Sequence, residues 1–439
     1  MVNMGKKNRC YKQLVGSLAI GTIIGTCQPA WSSGFQLHEQ NAKDLGTAYA
    51  GAVSSAEDAS TAYFNPAGLV RLGDEQIVAS GVFAIANSTL DVTGGTASLP
   101  SGFTRGAPVA MGTGSTHVHH ISVVPGLHYA KRIADDWRFG FSVTSPFGLN
   151  SSYQQTSIAR YMATRSELKT IDIGPSLAYG FGNGFSIGVG VDALYALAGL
   201  STQIGNNTIS LDGYNSNTAS NWGIGYQAGL LYEATDHTRF GIHYRSHVKV
   251  KTTGDSVTLT AVTGLSSTQG VKADIDFPET AVISAYHAFN EQWAVMADAE
   301  WTRWNRFKQL ILNFDDGSAL ITNERFKNTY RVSLGASYRF NEAWLFRLGT
   351  AYDRNPTQDA YRTIRIPDQN RTWAAIGGQY RFCKNLALDV GYAHLFFKKA
   401  SINEVAPTSV GATQTIQALQ GTSKTRADLI GIQLTWDVL

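Results

Sequence analysis

The chain contains few charged residues for its size. Of its 439 residues, 36 are Lys or Arg and 33 are Asp or Glu, so charged residues make up 16% of the sequence. Soluble domains average about 25%. The formal net charge is only +3, which is too small to indicate a nucleic acid as a partner. The composition therefore argues against nucleic-acid binding and is unusual for a soluble protein.

Cysteines and long apolar runs are also scarce. The chain has three cysteines, and two of them, Cys10 and Cys27, lie in a segment that we expect to be removed. Cys383 is then alone, which excludes an intramolecular disulfide. A transmembrane helix needs about 20 consecutive apolar residues, and the sequence contains no such run. We therefore expect no membrane-spanning helix.

Residues 1–32 have the three parts of a secretory signal peptide. Lys and Arg residues at positions 6–12 form a basic start, and an apolar stretch follows from Leu14 to Ile24. Ala30-Trp31-Ser32 then fits a cleavage site with small residues at its first and third positions. The sequence thus predicts an exported protein whose mature chain begins at Ser33.

The rest of the chain alternates short turns with long polar loops. Short stretches carry the Gly, Asn or Asp that tight turns require, and they lie at 134–136, 182–184, 234–237, 290–291, 341–342 and 384–385. Longer polar stretches separate them, at 91–116, 150–166, 205–220, 255–269, 315–325, 355–362 and 401–424. These connections join about fourteen strands, and this rhythm is typical of bacterial outer-membrane β-barrels.

Within these segments, apolar and polar residues alternate with a period of two. In the last segment Ile430, Ile432 and Leu434 share one face, whereas Gly431 and Gln433 share the other. Such alternation is typical of a strand with one apolar and one polar face. Aromatic residues flank the short turns, as expected for a belt at a membrane interface. We predict an all-β fold, a 14-stranded antiparallel transmembrane β-barrel formed by residues 75–439 in the outer membrane of a Gram-negative bacterium.

Residues 33–74 break this pattern. They contain short helical or irregular pieces, such as Ala56–Phe64, which Asn65-Pro66 ends because proline cannot continue a helix. The segment precedes the first strand and enters from the periplasmic side. It is either a loose periplasmic tail or a plug inside the barrel, since a barrel of this size leaves a lumen to be filled or lined.

The residues of this segment and of the barrel resemble the FadL/TodX family of outer-membrane transporters for hydrophobic compounds. The resemblance begins at Ser33–Gln40 and Asn65–Leu69, and continues through Trp222–Gly229, Phe326–Arg331 and Ile366–Arg371. It implies a partly helical hatch that plugs the barrel. It also implies passive uptake of hydrophobic molecules, long-chain fatty acids first, captured in an apolar lumen and released sideways at a kink in the third strand.

The resemblance also assigns candidate sites. The hatch tip, which would complete a ligand pocket, is Ser33, Gly34, Phe35, Gln36 and Leu37. The hatch anchor is Asn65, Pro66 and Ala67. The resemblance implies a kink for lateral opening at Pro146, Phe147 and Gly148, whereas Pro and Gly alone would equally indicate an ordinary bulge before the loop at 150–166. Fatty-acid members hold the carboxylate with basic residues, but this chain has Thr202 and Thr322 at the matching positions. Arg325 and Lys327 are then the candidate carboxylate contacts.

Two groups of basic residues have weaker interpretations. Arg245, His247, Lys249 and Lys251 alternate along one segment, so we predict that they share the lumen face. There they would pair with acidic residues of the hatch or line a polar interior, and the alternative is that they attract a fatty-acid carboxylate. The cluster of His117, His119 and His120 lacks the third partner that a metal or catalytic site needs. We expect no metal site, no cofactor and no enzymatic activity.

Other functions remain open at this point. Aromatic hydrocarbons or other apolar compounds are the alternative substrates, and a general porin, a lipase using His120 and Ser122, and a surface adhesin are the rival classes. The partners we expect are hydrophobic ligands, membrane lipid and lipopolysaccharide, and the outer-membrane assembly machinery. We expect the barrel to be a monomer.

Overall fold

The computed structural model describes residues 33–98, 108–205, 212–260, 263–406, 408–410 and 416–438. The predicted signal peptide, residues 1–32, lies outside the described residues. Among the residues that are described, no helix has the length and apolar character needed to cross a membrane.

The described residues form a closed antiparallel barrel of 14 strands, as predicted. The strands are β1 Glu75–Ser98, β2 Gly114–Arg132, β3 Trp137–Thr144 with Gly148–Ser152, β4 Arg165–Gly180, β5 Phe185–Ile204, β6 Gly213–Thr235, β7 Thr238–Arg245 with Val248–Thr260, β8 Leu265–Phe277 with Thr280–Ala288, β9 Trp293–Thr302 with Gln309–Phe314, β10 Ala319–Asn323 with Thr329–Arg339, β11 Trp344–Asp353, β12 Arg371–Cys383, β13 Leu386–Phe397 with Ala400–Val405, and β14 Ile416–Asp437. Short strands Pro108–Ala110 and Thr408–Val410 extend the sheet beside β1 and β10.

The barrel closes where the first strand meets the last. β1 pairs with β14 from Gln76 opposite Asp437 to Ser98 opposite Ile416. This pairing closes the sheet on itself, which is the condition for a sheet to lie in a membrane. On the outer wall, Leu334, Leu348 and Ile376 of adjacent strands are each between 57% and 64% exposed. An apolar outer face of this kind fits lipid.

Aromatic rings cluster at the short turns. Trp137 lies beside Tyr179 with ring centroids 4.9 Å apart, Phe185 stacks on Tyr232 at 4.1 Å, and Trp344 lies 4.7 Å from Tyr380. Each pair joins neighbouring strands at the turn end of the barrel. The predicted belt of aromatic residues at a membrane interface therefore has its counterpart in the structure.

Residues 33–74, the N-terminal segment, plug the barrel. The 3₁₀ helix Asp44–Thr47 packs on β10 to β13, and the 3₁₀ helix Pro66–Arg71 packs on β3 to β6 across the lumen. A short α-helix, Thr61–Phe64, precedes the second of these. Glycines of the wall allow the backbone of this segment to approach closely, since a Cβ on Gly349 would lie 2.1 Å from the backbone of Thr47. Of the two arrangements that the sequence left open, the plug is confirmed.

Three carboxylates of the plug surround one lysine inside the lumen. The Lys43 ammonium lies 3.4 Å from Asp44, 3.5 Å from Asp58 and 3.8 Å from Glu57. Burial acts to lower the pKa of Lys43, but these carboxylates outweigh it and raise that pKa. Lys43 therefore stays charged and holds the acidic residues of the plug together.

Candidate functional site

The third strand is interrupted at the predicted kink. Thr144 pairs with Asp172 of β4, and Gly148 pairs with Lys169. Four residue steps on β3 thus face three on β4, so β3 carries one extra residue, as in a β-bulge. Below the interruption β3 also pairs with β2, up to Leu127 opposite Val143. Within the described stretch 108–205, β2 and β3 form no ladder beyond that point.

The tip of the N-terminal segment takes the place of the missing neighbour strand. Gln36 forms an antiparallel bridge with Phe147. The Leu37 N–H donates to the Pro146 carbonyl at 2.8 Å, and the Gly148 N–H donates to the Phe35 carbonyl at 2.8 Å. The tip is therefore a short strand laid against the interruption, and it satisfies backbone groups that would otherwise be unpaired.

Side chains satisfy the remaining backbone groups of the interruption. The Gln40 amide accepts from the Ser145 N–H and donates to its carbonyl, both at 2.9 Å. The Thr170 hydroxyl accepts from the Phe147 N–H at 3.0 Å and donates to its carbonyl at 2.6 Å. Closure of the break in β3 thus depends on the plug and on one hydroxyl of β4.

Phe35 holds the tip in an aromatic pocket. Its side chain is 2% exposed. Its ring makes edge contacts with Trp304 at 4.6 Å, Phe307 at 5.2 Å, Phe277 at 6.0 Å and Phe147 at 6.2 Å between centroids. Edge-to-face pairs of this kind each add about 0.5–1.5 kcal/mol beyond apolar burial. Phe147 belongs both to this pocket and to the interruption, so the two features share a residue.

The rest of the tip is tied to the extracellular-side loops and to β9. The Gly34 N–H donates to the Asp368 carboxylate at 2.8 Å, and Gln36 donates to Glu300 at 2.9 Å. Burial raises the pKa of Asp368 to about 6. Gly34 has φ +63°, and a Cβ there would lie 3.0 Å from Trp304. Both its conformation and its surroundings therefore call for glycine.

The predicted anchor residues lie against β5 and β6. The Asn65 amide donates to the Val53 carbonyl at 2.8 Å and to the Leu230 carbonyl of β6 at 3.0 Å, and accepts from Ala67. A Cβ on Gly188 would lie 2.3 Å from the Ala67 nitrogen. The turn that starts at Pro66 thus packs directly on a glycine of β5. These contacts attach the plug to the barrel wall at a point away from the tip.

Two adjacent cavities lie above Phe35. The inner one, of about 70 Å³, is apolar and is bounded by Phe35, Leu168, Ile275 and Phe307. The outer chamber, of about 230 Å³, carries hydroxyl and amide side chains. Their lining has four residues in common, namely Leu200, Asn217, Leu310 and Leu312. The cavities therefore adjoin at these four side chains, and the one nearer the tip has the less polar lining.

The predicted carboxylate contacts lie elsewhere. Arg325 stacks over Tyr361, with its guanidinium carbon 4.8 Å from the ring centroid, and donates to its hydroxyl. Neither Arg325 nor Lys327 lines either cavity in the described part of the chain. Thr202 and Thr322 do line the outer chamber. A carboxylate contact by Arg325 or Lys327 stays a prediction.

One interpretation of the basic residues is wrong. Arg245 lies inside, with its guanidinium 2.8 Å from Asp192 and 3.1 Å from Asp172. His247, Lys249 and Lys251 are exposed instead. β7 breaks between Arg245 and Val248, and this break turns the following residues to the other face. Even Arg245 pairs with acidic residues of the wall rather than of the plug.

Several residues of the site were not predicted. Trp304 and Phe307 enter the lumen through a 3₁₀ turn inside β9, Trp304–Arg306, and no period-two pattern marks such a turn. Gln40 completes the interruption although it follows the predicted tip. A weak signal was available for Trp304, since Trp301-Thr302-Arg303-Trp304 breaks the alternation of β9.

The model of the family "Outer membrane protein transport protein (OMPP1/FadL/TodX)" matches residues 23–437 of the chain. The chain is 31% identical over 423 residues to the long-chain fatty acid transport protein of Escherichia coli O6:H1. This alignment covers 88% of this chain and 92% of that protein. It is 28% identical over 459 residues to outer membrane protein P1 of Haemophilus influenzae, covering 97% of this chain and 99% of that protein.

Solved structures have the same fold. A Pseudomonas aeruginosa FadL homologue superposes with a TM-score of 0.82 at 22% identity, covering 92% of this chain and 99% of that one. The Ralstonia pickettii toluene transporter TbuX superposes with a TM-score of 0.64 at 20% identity, covering 90% and 98%. With the family model matching nearly the whole chain, this barrel belongs to the FadL/TodX family of transporters for hydrophobic compounds in the outer membrane of Gram-negative bacteria.

Proposed function

We propose that this protein is a passive outer-membrane channel for hydrophobic molecules, with long-chain fatty acids as the first candidates. The observation that carries the proposal is the apolar cavity that ends at Phe35, whose backbone completes the interrupted β3. Burial of an alkyl chain is favourable by about 0.8 kcal/mol per CH₂. An apolar lumen therefore captures such a chain from dilute solution without an energy source.

The route runs from the outer chamber to the apolar cavity and then sideways into lipid. A ligand chain that takes the place of the Phe35 ring competes with the contacts that hold the tip. Loss of the tip removes two backbone hydrogen bonds from Pro146 and Gly148. It thereby opens the seam between β2 and β3, where the ladder already ends. Exit into lipid keeps the apolar ligand out of water.

The substrate class has a second candidate. Aromatic hydrocarbons fit the ring-lined pocket around Phe35, since aromatic rings favour edge contacts with one another. Two of the structural relatives are described as toluene transporters, which supports this alternative. Fatty acids stay first, because the relatives near 30% identity over most of the chain are described as fatty acid transport proteins.

The proposal includes no covalent chemistry and no cofactor. Members of the family are transport channels, and passive binding and diffusion suffice for the route above. The plug argues against a general porin, because it fills the lumen that a porin leaves open. We further propose a monomer that contacts membrane lipid and lipopolysaccharide and is inserted by the outer-membrane assembly machinery.

The test is uptake of labelled oleate by a Gram-negative strain that lacks its own fatty-acid channel. The deciding variant deletes Pro146 alone, which restores equal residue counts on β3 and β4 and so permits a continuous ladder. Deletion of Gln155, in the loop after β3, is the matched control. We expect uptake with the wild type and the control and at least a tenfold loss with the Pro146 deletion.

Each other outcome has a distinct meaning. If the Pro146 deletion variant folds and takes up oleate as fast as the wild type, lateral exit at β3 is refuted. No uptake of oleate by the wild type, together with uptake of labelled toluene, would favour the aromatic substrates. Deletion of Ser33–Leu37 tests the tip, and unchanged oleate uptake there would show that the tip has no part in transport.

A further inference from the structure

A group of cations lies on the outer wall of the barrel, toward the end that carries the long loops. Lys398 and Lys399 lie between the two parts of β13, and Lys424 and Arg426 lie on the neighbouring strand β14. All four side chains are exposed. These residues, the outer-wall cations, therefore form one charged patch across two adjacent strands.

The pairing of β13 with β14 brings the four cations together. Phe396 lies opposite Arg426, and Ala400 lies opposite Ser423. Four residue steps on β13 thus face three on β14, so β13 carries one extra residue here, as in a β-bulge. This bulge contains both lysines of β13 and places them beside Lys424.

Uncharged hydrogen-bonding side chains continue the patch on the other side of β14. Asn87 of β1 lies opposite Arg426, and its neighbour across the sheet on β2 is His119, whose Nδ1 is 2.7 Å from Asn87 Oδ1. Thr89 lies opposite Lys424. The patch therefore extends over four adjacent strands, and these neighbours bring no carboxylate to it.

The carboxylates near the patch do not neutralise it. Asp91 lies 3.8 Å from the Lys424 ammonium. Asp428, the other nearby carboxylate, is engaged by His394 at 2.7 Å and by the Tyr392 hydroxyl at 2.8 Å. No ion pair joins the other three outer-wall cations to any residue that the structure describes. The patch therefore keeps a net positive charge.

The outer wall on β7 and β8 also carries lysines, but with a different charge balance. Lys249 lies opposite Asp276, and Lys251 lies opposite Asp274. The Lys249 ammonium is also 2.8 Å from the Asp274 carboxylate. The lysines of β7 are thus neutralised within the sheet. The outer-wall cations face no carboxylate directly across the described sheet, so they are available to an anion from outside the protein.

The patch lies where the lipid-facing band ends. Below Arg426 on the same face of β14, Ile430 and Ile432 are 39% and 48% exposed. Trp436, near the periplasmic end of this face, is ten residues from Arg426. At about 3.3 Å per residue and a strand tilt of about 40°, this separation is about 25 Å along the membrane normal, which is the height of the lipid-facing band of such barrels. With Trp436 at the periplasmic interface, Arg426 lies at the level of the head groups of the outer leaflet.

We propose that the outer-wall cations bind the phosphates of a lipopolysaccharide molecule in the outer leaflet. Lys and Arg near a membrane surface attract anionic lipids, and phosphate oxygens accept hydrogen bonds from both side chains. Lipid A, the lipid part of lipopolysaccharide, carries phosphates at both ends of its sugar head group. This suits cations that are spread over two strands, whereas a zwitterionic phospholipid brings an ammonium of its own. The site gives residues to the lipopolysaccharide contact proposed above, and it does not depend on which substrate is transported.

The test measures binding of lipid A to the full mature barrel by native mass spectrometry in detergent, after bound lipid has been removed. The ligands are bisphosphorylated lipid A, its dephosphorylated form and phosphatidylglycerol, an anionic phospholipid. Besides the wild type, the proteins are the patch variant Lys399→Gln, Lys424→Gln, Arg426→Gln and the matched control Lys249→Gln, Lys251→Gln, Lys272→Gln. Both variants remove the same number of exposed cations from the outer wall, and substitutions at exposed positions rarely impair folding.

We expect the wild type and the control to bind bisphosphorylated lipid A with similar dissociation constants. The patch variant should bind it at least tenfold more weakly, since each cation near the surface contributes about a factor of five to the attraction of an anionic lipid. The wild type should bind dephosphorylated lipid A and phosphatidylglycerol at least tenfold more weakly than bisphosphorylated lipid A. This second comparison uses the wild type alone, so it tests the site even if the patch variant does not fold.

Three results would overturn the inference. Equal affinity of the wild type and the patch variant for lipid A would show that the outer-wall cations do not bind it. Equal losses in the patch variant and the control would show that any charge on the outer wall suffices. Binding of phosphatidylglycerol as tightly as lipid A would assign the patch to phospholipid phosphates instead. The channel function would stand in each case, because uptake of oleate is measured separately.

Discussion

Replacement of Phe35 by alanine is expected to release the tip from the break in β3. The Phe35 ring is 2% exposed and contacts the rings of Phe147, Phe277, Trp304 and Phe307. Truncating a buried Phe to Ala costs about 3–5 kcal/mol when the surroundings cannot collapse. This side chain makes the ring contacts that join the tip to the aromatic pocket, so about 3 kcal/mol of that loss should appear as a lower free energy of local opening.

Hydrogen exchange reports this opening directly. The Leu37 and Gly148 N–H groups form the two bonds of the bridge between tip and wall. A loss of about 3 kcal/mol corresponds to at least a hundredfold loss of protection for both, because each 1.4 kcal/mol is a factor of ten. Peptides that cover 33–40 and 144–150 should exchange faster to a similar degree.

The matched control is Phe289→Ala, since Phe289 is 64% exposed at a turn and should leave both peptides unchanged. Equal protection of the two peptides in Phe35→Ala and in the wild type, with the barrel intact, would refute the view that Phe35 holds the tip. Faster exchange in the tip peptide alone would show that the two N–H groups do not open together.

Two further predictions concern the plug. Asn65→Ala and Gly229→Ala should loosen the same anchor, because a Cβ on Gly229 would lie 1.9 Å from Asn65 Oδ1. Both variants should make residues 50–68 accessible to protease. Protease resistance in both variants would contradict the view that Asn65 anchors the plug. Burial raises the pKa of Glu39 from 4.5 to about 7, so between these pH values the folded plug keeps a proton on Glu39 that the unfolded chain releases. The stabilisation of the plug by this proton is fully present below pH 4.5. About 3 kcal/mol of it is lost as the pH rises to 7. This loss of stability should appear as faster hydrogen exchange in residues 33–74 as the pH rises, after correction for intrinsic exchange rates. Glu39→Gln should remove the effect, and the same pH profile in the variant and the wild type would refute the role of Glu39.

The sequence was most informative where local chemistry dictates structure. Turns such as 182–184 and 341–342 were predicted correctly because Gly and Asn supply the conformations that tight turns need. The break in β3 was predicted because Pro146 cannot donate to a ladder. The predicted loops were too long, however. β1 extends to Ser98 and β14 begins at Ile416, since polar strands outside the membrane have no apolar face to reveal them.

The contacts that build the site depend on distant parts of the chain. Nothing near Phe35 in the sequence indicates that Trp304 and Phe307 surround it, because a turn inside β9 brings them there. The faces of His247 and Lys249 were assigned wrongly because one break in β7 reverses the alternation.

The central claim is that ligand leaves sideways between β2 and β3, and photocrosslinking tests it most directly. A long-chain fatty acid with a diazirine at its chain end would be given to outer membranes that contain the protein, and adducts would be mapped by mass spectrometry. Lateral exit predicts adducts on Phe35, on Phe147 and on Leu127, which is exposed on the outer wall where the ladder between β2 and β3 ends. Adducts on Arg239 and Arg381, which line the polar periplasmic cavity, without any on Leu127, would contradict it.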